Sequence, residues 1–265
     1  MRIVNVLLIC VVVFVQTQCA GKETKHSSDF KTWAITSVEG GGIDGRLLAF
    51  SIDNAGTLLF EDRKNKASAE MKMDNPETLA RMEALLKQLD VPNAKKKSDK
   101  KPECCDQVNS YLIVKLDGRE YYPDKSSFSR SQTPNFESLL SIFGEIREKN
   151  EKTLMNKAAE LKVKNAKTLS VSVREGNYKT AWEGKFSRKG QSNVFEGEWK
   201  NNETAETVKD KVEVVLNGQI VKVTRKGAGE VAVPKEFQGD LNGYHPGAIS
   251  NSSSQKEVRW YVSFE

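Results

Sequence analysis

Trp182-Glu183-Gly184-Lys185-Phe186 and, beyond a Lys189-Gly190 turn, Phe195-Glu196-Gly197-Glu198-Trp199 decide the fold of the C-terminal part of the chain. Side chains alternate across a strand, so Trp182, Gly184 and Phe186 share one face, and Phe195, Gly197 and Trp199 share another. Two readings of those faces are open. The rings fill the core of a small barrel, with glycine where strands coil tightly. Alternatively Trp182, Phe186, Phe195 and Trp199 line a cavity for an apolar ligand.

Outward from this pair the same pattern repeats. Turn signals stand at Glu175-Gly176-Asn177, Asn201-Asn202, Asn217-Gly218, Lys226-Gly227 and Asn242-Gly243. They separate seven expected strands: Leu169–Arg174, Lys179–Arg188, Asn193–Lys200, Thr207–Leu216, Gln219–Arg225, Glu236–Leu241 and Glu257–Phe264. Short strands at regular spacing predict an all-β barrel or sandwich over residues 167–265.

Upstream, the chemistry changes. Thr32–Val38, Leu47–Ile52 and Thr57–Asp62 read as strands around the turns Glu39–Gly45 and Asp53–Gly56. Asn75-Pro76 opens a helix whose apolar face is Leu79, Met82, Leu85, Leu86 and Leu89. A further strand, Ser110–Leu116, turns at Asp117-Gly118 into Glu120-Tyr121-Tyr122, and Pro134 opens a helix carrying Phe136, Leu139, Leu140, Phe143 and Ile146. Hairpins followed by amphipathic helices predict an α+β domain over 31–149, joined to the β-domain over 150–166 by an extension of the second helix or a helical connector.

The N-terminus is different again. Arg2 precedes an apolar run, Ile3–Val15, that ends in small residues at Cys19-Ala20-Gly21. This is the layout of an export signal over 1–20, followed by a polar tether over 21–30. The run is too short to span a bilayer, which takes about 20 apolar residues. If a bacterium makes the chain, the region resembles a lipobox, and Cys19 becomes a lipidated first residue; cleavage after Gly21 is the alternative. The protein is therefore expected to be secreted or anchored in the cell envelope.

Composition narrows the function. A net charge of +5 with 29% charged residues is a mixed surface, and the dense cluster Lys95–Lys101 sits in a loop between prolines, so no nucleic-acid partner is expected. Cys104 and Cys105 are too close for an ordinary disulfide, and His26 and His245 have no ligand spacing to a cysteine. No metal site, cofactor or catalytic residue is expected. No His-Glu-x-x-His, nucleophile elbow, P-loop or dinucleotide fingerprint occurs, which predicts a non-enzymatic binding protein. Asn202-Glu203-Thr204 and Asn251-Ser252-Ser253 fit the N-glycosylation pattern, which matters if a eukaryote secretes the chain.

Ile35–Glu148 resembles the emfourin family, small exported or protease-linked domains whose founding member inhibits thermolysin-like metalloproteases. The residues that carry the resemblance are Glu39–Gly45, Ile52–Gly56, the leucine-rich helix ending in Leu89-Asp90-Val91, Asp106 with Tyr111, Leu116–Arg119 and the helix Phe136–Ile146. The resemblance implies a zinc metalloprotease as partner. Exposed loops on a rigid sheet are where binding residues concentrate, which makes Gly40, Gly41, Gly42, Asp44 and Gly45 the candidate partner-binding loop. The β-domain resembles lipocalin-like barrels in its Trp-x-Gly-x-Phe rhythm, which implies a carrier of an apolar ligand as the alternative. A structural surface protein is the third reading.

Overall fold

The structure is a computed structural model that describes residues 29–41, 46–94, 109–175, 179–227, 233, 235–241, 245–247 and 258–265. The export signal, Cys19, the Lys95–Lys101 cluster, Cys104, Cys105 and Asn251 lie outside these residues. Among the described residues, no helix is long and apolar enough to cross a membrane. The chain is mixed α and β, with a barrel-like sheet as its second part.

The first part comprises β1 (Trp33–Gly41), β2 (Arg46–Asp53), β3 (Thr57–Asp62), β4 (Ala67–Lys72), α1 (Pro76–Leu89), β5 (Asn109–Leu116), β6 (Arg119–Tyr121) and α2 (Thr133–Asn165). The strands form one antiparallel sheet in the order β4-β3-β2-β1-β5-β6. Register aligns the apolar alternation across it: Ile35 opposes Ile52 and Val114, Phe50 opposes Phe60, and Trp33 opposes Leu116. This face is buried beneath Met82, Leu86 and Leu89 of α1 and Phe136, Leu139, Phe143 and Ile146 of α2. Burying each such side chain stabilises by about 1.5–3 kcal/mol, several times any per-residue helix propensity. The helices are thus held in place by their apolar stripes.

Local signals set the ends. Asn75 caps α1 by accepting from the Thr78 amide at 3.0 Å, and Asp90 closes it in the left-handed region at φ +49°. Asp117 and Gly118, at φ +45° and +83°, make the tight β5–β6 turn that two positive-φ residues permit. Phe30, at the end of the expected tether, is buried in this first core.

β4 was not among the expected strands; it pairs along the whole of β3 and turns Ala67 and Ala69 inward. Of the two readings of residues 150–166, the structure shows the helix extension: they are the second half of α2, a single helix of 33 residues. Leu154 and Ala158 of that half pack into the first core, whereas Val163 packs into the second. At the end of α2, Arg188 donates Nε to the Ala166 carbonyl at 2.7 Å and its terminal nitrogen to the Val163 carbonyl. These bonds answer carbonyls at the helix terminus and set a cation at its negative end.

The second part comprises β7 (Thr168–Glu175), β8 (Lys179–Arg188), β9 (Val194–Asn201), β10 (Thr207–Asn217), β11 (Ile220–Arg225), β12 (Glu236–Asp240), β13 (His245–Gly247) and β14 (Val258–Phe264). Their order is β12-β11-β10-β9-β8-β7-β14-β13. Strands consecutive in sequence are neighbours, and β14 returns to pair along β7 from Val258↔Glu175 to Phe264↔Leu169. One sheet therefore curls nearly into an up-and-down barrel, with the ladder open between β12 and β13. His245 and Pro246 belong to short β13, opposite Trp260 and Arg259.

Inward positions carry large rings. Trp182, Phe186, Phe195, Trp199, Phe237, Trp260 and Phe264 are all buried. Room for them comes from glycine: a Cβ on Gly197 would stand 1.9 Å from the Lys185 carbonyl oxygen and 2.7 Å from Phe186 Cα. Gly197→Ala must push β8 and β9 apart, and we expect a loss of at least the 1–3 kcal/mol typical of overpacking. Urea unfolding monitored by tryptophan fluorescence reads this directly; an unchanged midpoint would show that the two strands give way freely.

Candidate functional site

The candidate partner-binding loop begins where β1 ends. Gly40 and Gly41 belong to β1 and face Leu47 and Arg46 of β2. Gly42, Asp44 and Gly45 lie outside the described residues.

The strand that delivers this turn is held from behind. Glu39, the residue before Gly40, accepts from Arg147 of α2 at 2.5 Å. The same guanidinium donates to Glu151 through Nε at 3.0 Å and a terminal nitrogen at 2.8 Å, and reaches Ser37 Oγ at 3.3 Å. A planar guanidinium suits this fork, because its five donors leave in fixed directions. The bond from Arg147 holds the Glu39 carboxyl below its usual range against the opposing effect of burial. The bond to Glu39, with Glu151 adding to it, raises the Arg147 guanidinium despite desolvation. Arg147 was not singled out from the sequence.

Replacing Arg147 with Met should cost about 1–3 kcal/mol by leaving charge-assisted acceptors unanswered. The sign of the pH dependence follows from Glu39. Its folded pKa is lowered, so its contribution is complete above the ordinary glutamate range and fades as pH falls through the folded value. The Arg147→Met variant should lose that part of the acid dependence, as thermal melts between neutral and acidic pH would report. Identical pH profiles would remove the clamp from the account.

The four rings proposed as cavity lining are inside the barrel. Phe186 meets Trp199 edge-on at 5.2 Å between centroids, Trp199 lies 6.1 Å from Phe237, and Phe195 lies 6.4 Å from Phe264. Such separations are those of packed aromatic pairs. Gly184 is overlaid by these rings, with Phe186 and Trp199 atoms 2.4 and 2.8 Å from where its Cβ would stand. Trp182 is buried in the same cluster.

Beside Trp199 lies a polar group that sequence reading passed over. Asp210 occupies an inward position of β10 in line with Val212 and Val214, and its side chain is fully buried. It accepts from Trp199 Nε1 at 3.0 Å, Arg225 Nε at 2.5 Å, and the amides of Lys211 and Gly227 at 2.7 Å each. Burial pushes its carboxyl up, but the bonds from Arg225, Trp199 and the Lys211 amide outweigh it and hold the group below its ordinary value. Arg225 also donates to the Val233 carbonyl at 3.0 Å, and Val233 is buried in the barrel core. The network ties β9, β10, β11 and the start of the β11–β12 connection together. The signal was available: an acid and an arginine each continue an apolar alternation, Asp210 before Val212 and Val214, Arg225 after Val221 and Val223.

Two concavities accompany these features. A cleft of about 400 Å³ lies between the start of α1 and the middle of α2, lined by Asn75, Thr78, Arg81, Glu145, Lys149 and Asn150 among others. A groove of about 600 Å³ on the barrel is rimmed by Lys189, Lys209, Lys211 and Lys226, with Glu196 and Asp210 within it. Glu196 binds Lys189 at 3.3 Å and Lys211 at 2.7 Å, and Lys226 pairs with Glu213 at 2.6 Å. Among the described residues, no three His, Cys, Asp or Glu side chains group as metal ligands. Neither a protein-family model nor a curated protein matches the chain.

Proposed function

We propose that the chain is an exported, non-enzymatic binding protein whose first part binds and inhibits a thermolysin-type zinc metalloprotease through the β1–β2 turn. In a bacterium, Cys19 would anchor it to the envelope by lipid. The observation that supports this reading is the bracing of β1 just before the turn. A glycine-rich loop leaves the middle strand pair of a six-stranded sheet, and the Glu39–Arg147–Glu151 cluster fixes its base against α2. A strand end that is already held in place loses less freedom on binding, and this is where a rigid scaffold gains affinity. The resemblance of Ile35–Glu148 to emfourins names the class of partner.

The test is a titration of the purified mature chain against a thermolysin-type protease at fixed substrate. The expected result is stoichiometric loss of activity with the chain remaining intact. Replacing Gly41 and Gly42 with Trp should abolish inhibition while far-ultraviolet circular dichroism stays unchanged. Full inhibition by that variant would remove the turn from the contact surface. Steady protease activity at excess wild-type chain would overturn the inhibitor reading itself.

A further inference from the structure

We draw no further inference here: the strongest candidate, the lysine-rimmed groove on the barrel between Lys189 and Lys226, carries nothing because Lys189, Lys211 and Lys226 are held by Glu196 and Glu213, its buried Asp210 is answered by four donors, and nothing in the structure shows what covers it.

Discussion

Asp210→Ala should destabilise the barrel by about 3–5 kcal/mol, the cost of leaving a buried charge without its partner. The carboxylate is fully enclosed, and the side chain of Arg225 that donates to it is only 8% exposed. Removal also strands Trp199 Nε1 and the amides of Lys211 and Gly227. A domain of ordinary stability, about 5–15 kcal/mol, would lose a large share of its margin. Urea denaturation gives the number, and a second variant separates two explanations. Asp210→Leu with Arg225→Met removes both charges, and should recover much of the loss if uncompensated charge is the cause. If the double variant is as weak as the single one, the fault lies in the stranded backbone amides and not in the ion pair. A loss below about 1 kcal/mol in the single variant would place the pair among weak surface bridges, contrary to its burial.

Trp199→Ala should be of similar size, about 3–5 kcal/mol, because a fully buried ring leaves a cavity that its neighbours fill only in part. Phe186 and Phe237 would each lose an aromatic neighbour. Trp199→Phe is the informative control. It keeps most of the packing and removes the donor to Asp210, so its cost should be about 1–3 kcal/mol. Thermal and urea unfolding of the two variants, compared at equal concentration, would give the ring and the hydrogen bond separately. If the alanine variant were as stable as the parent, the barrel would have room around Trp199. The apolar-ligand alternative would then deserve a binding screen with fatty acids.

The regions where sequence and structure agree are those where one local rule dominates. Asp117-Gly118 specifies its hairpin by conformation alone, and the Leu79–Leu89 face specifies α1 by its period. The aromatic alternation at Trp182–Phe186 and Phe195–Trp199 marks β8 and β9 for the same reason, since a slip of one residue would turn every ring to water. β4 escaped because Ala67-Ser68-Ala69-Glu70-Met71-Lys72 contains no β-branched or aromatic residue. Its strand character is imposed by β3 on one side and α2 above it, where Lys157 donates to the Glu70 carbonyl at 2.7 Å. β13 is equally silent, since three residues including a proline become a strand only by lying against β14. The Arg147 clamp joins residues 108 and 4 positions away in sequence, and no spacing rule connects the distant pair. Charge partners are chosen by the fold after the strands are laid down.

The single helix α2 has a consequence for how the molecule yields. Its early turns seal one core, Leu154 and Ala158 still belong to that core, and Val163 already belongs to the other. Across about 50 Å of unbroken helix, at 1.5 Å per residue, there is no hinge at which the halves part company. Melting the last turns takes the Val163 and Ala166 carbonyls away from Arg188, so loss of the helix end is felt in β8. A protease that nicks near residue 150 therefore does not free two intact pieces; it strips Leu154 and Ala158 from the first piece and leaves both with an open apolar seam. Loosening at the end of α2 is thereby passed on to the first strands of the barrel.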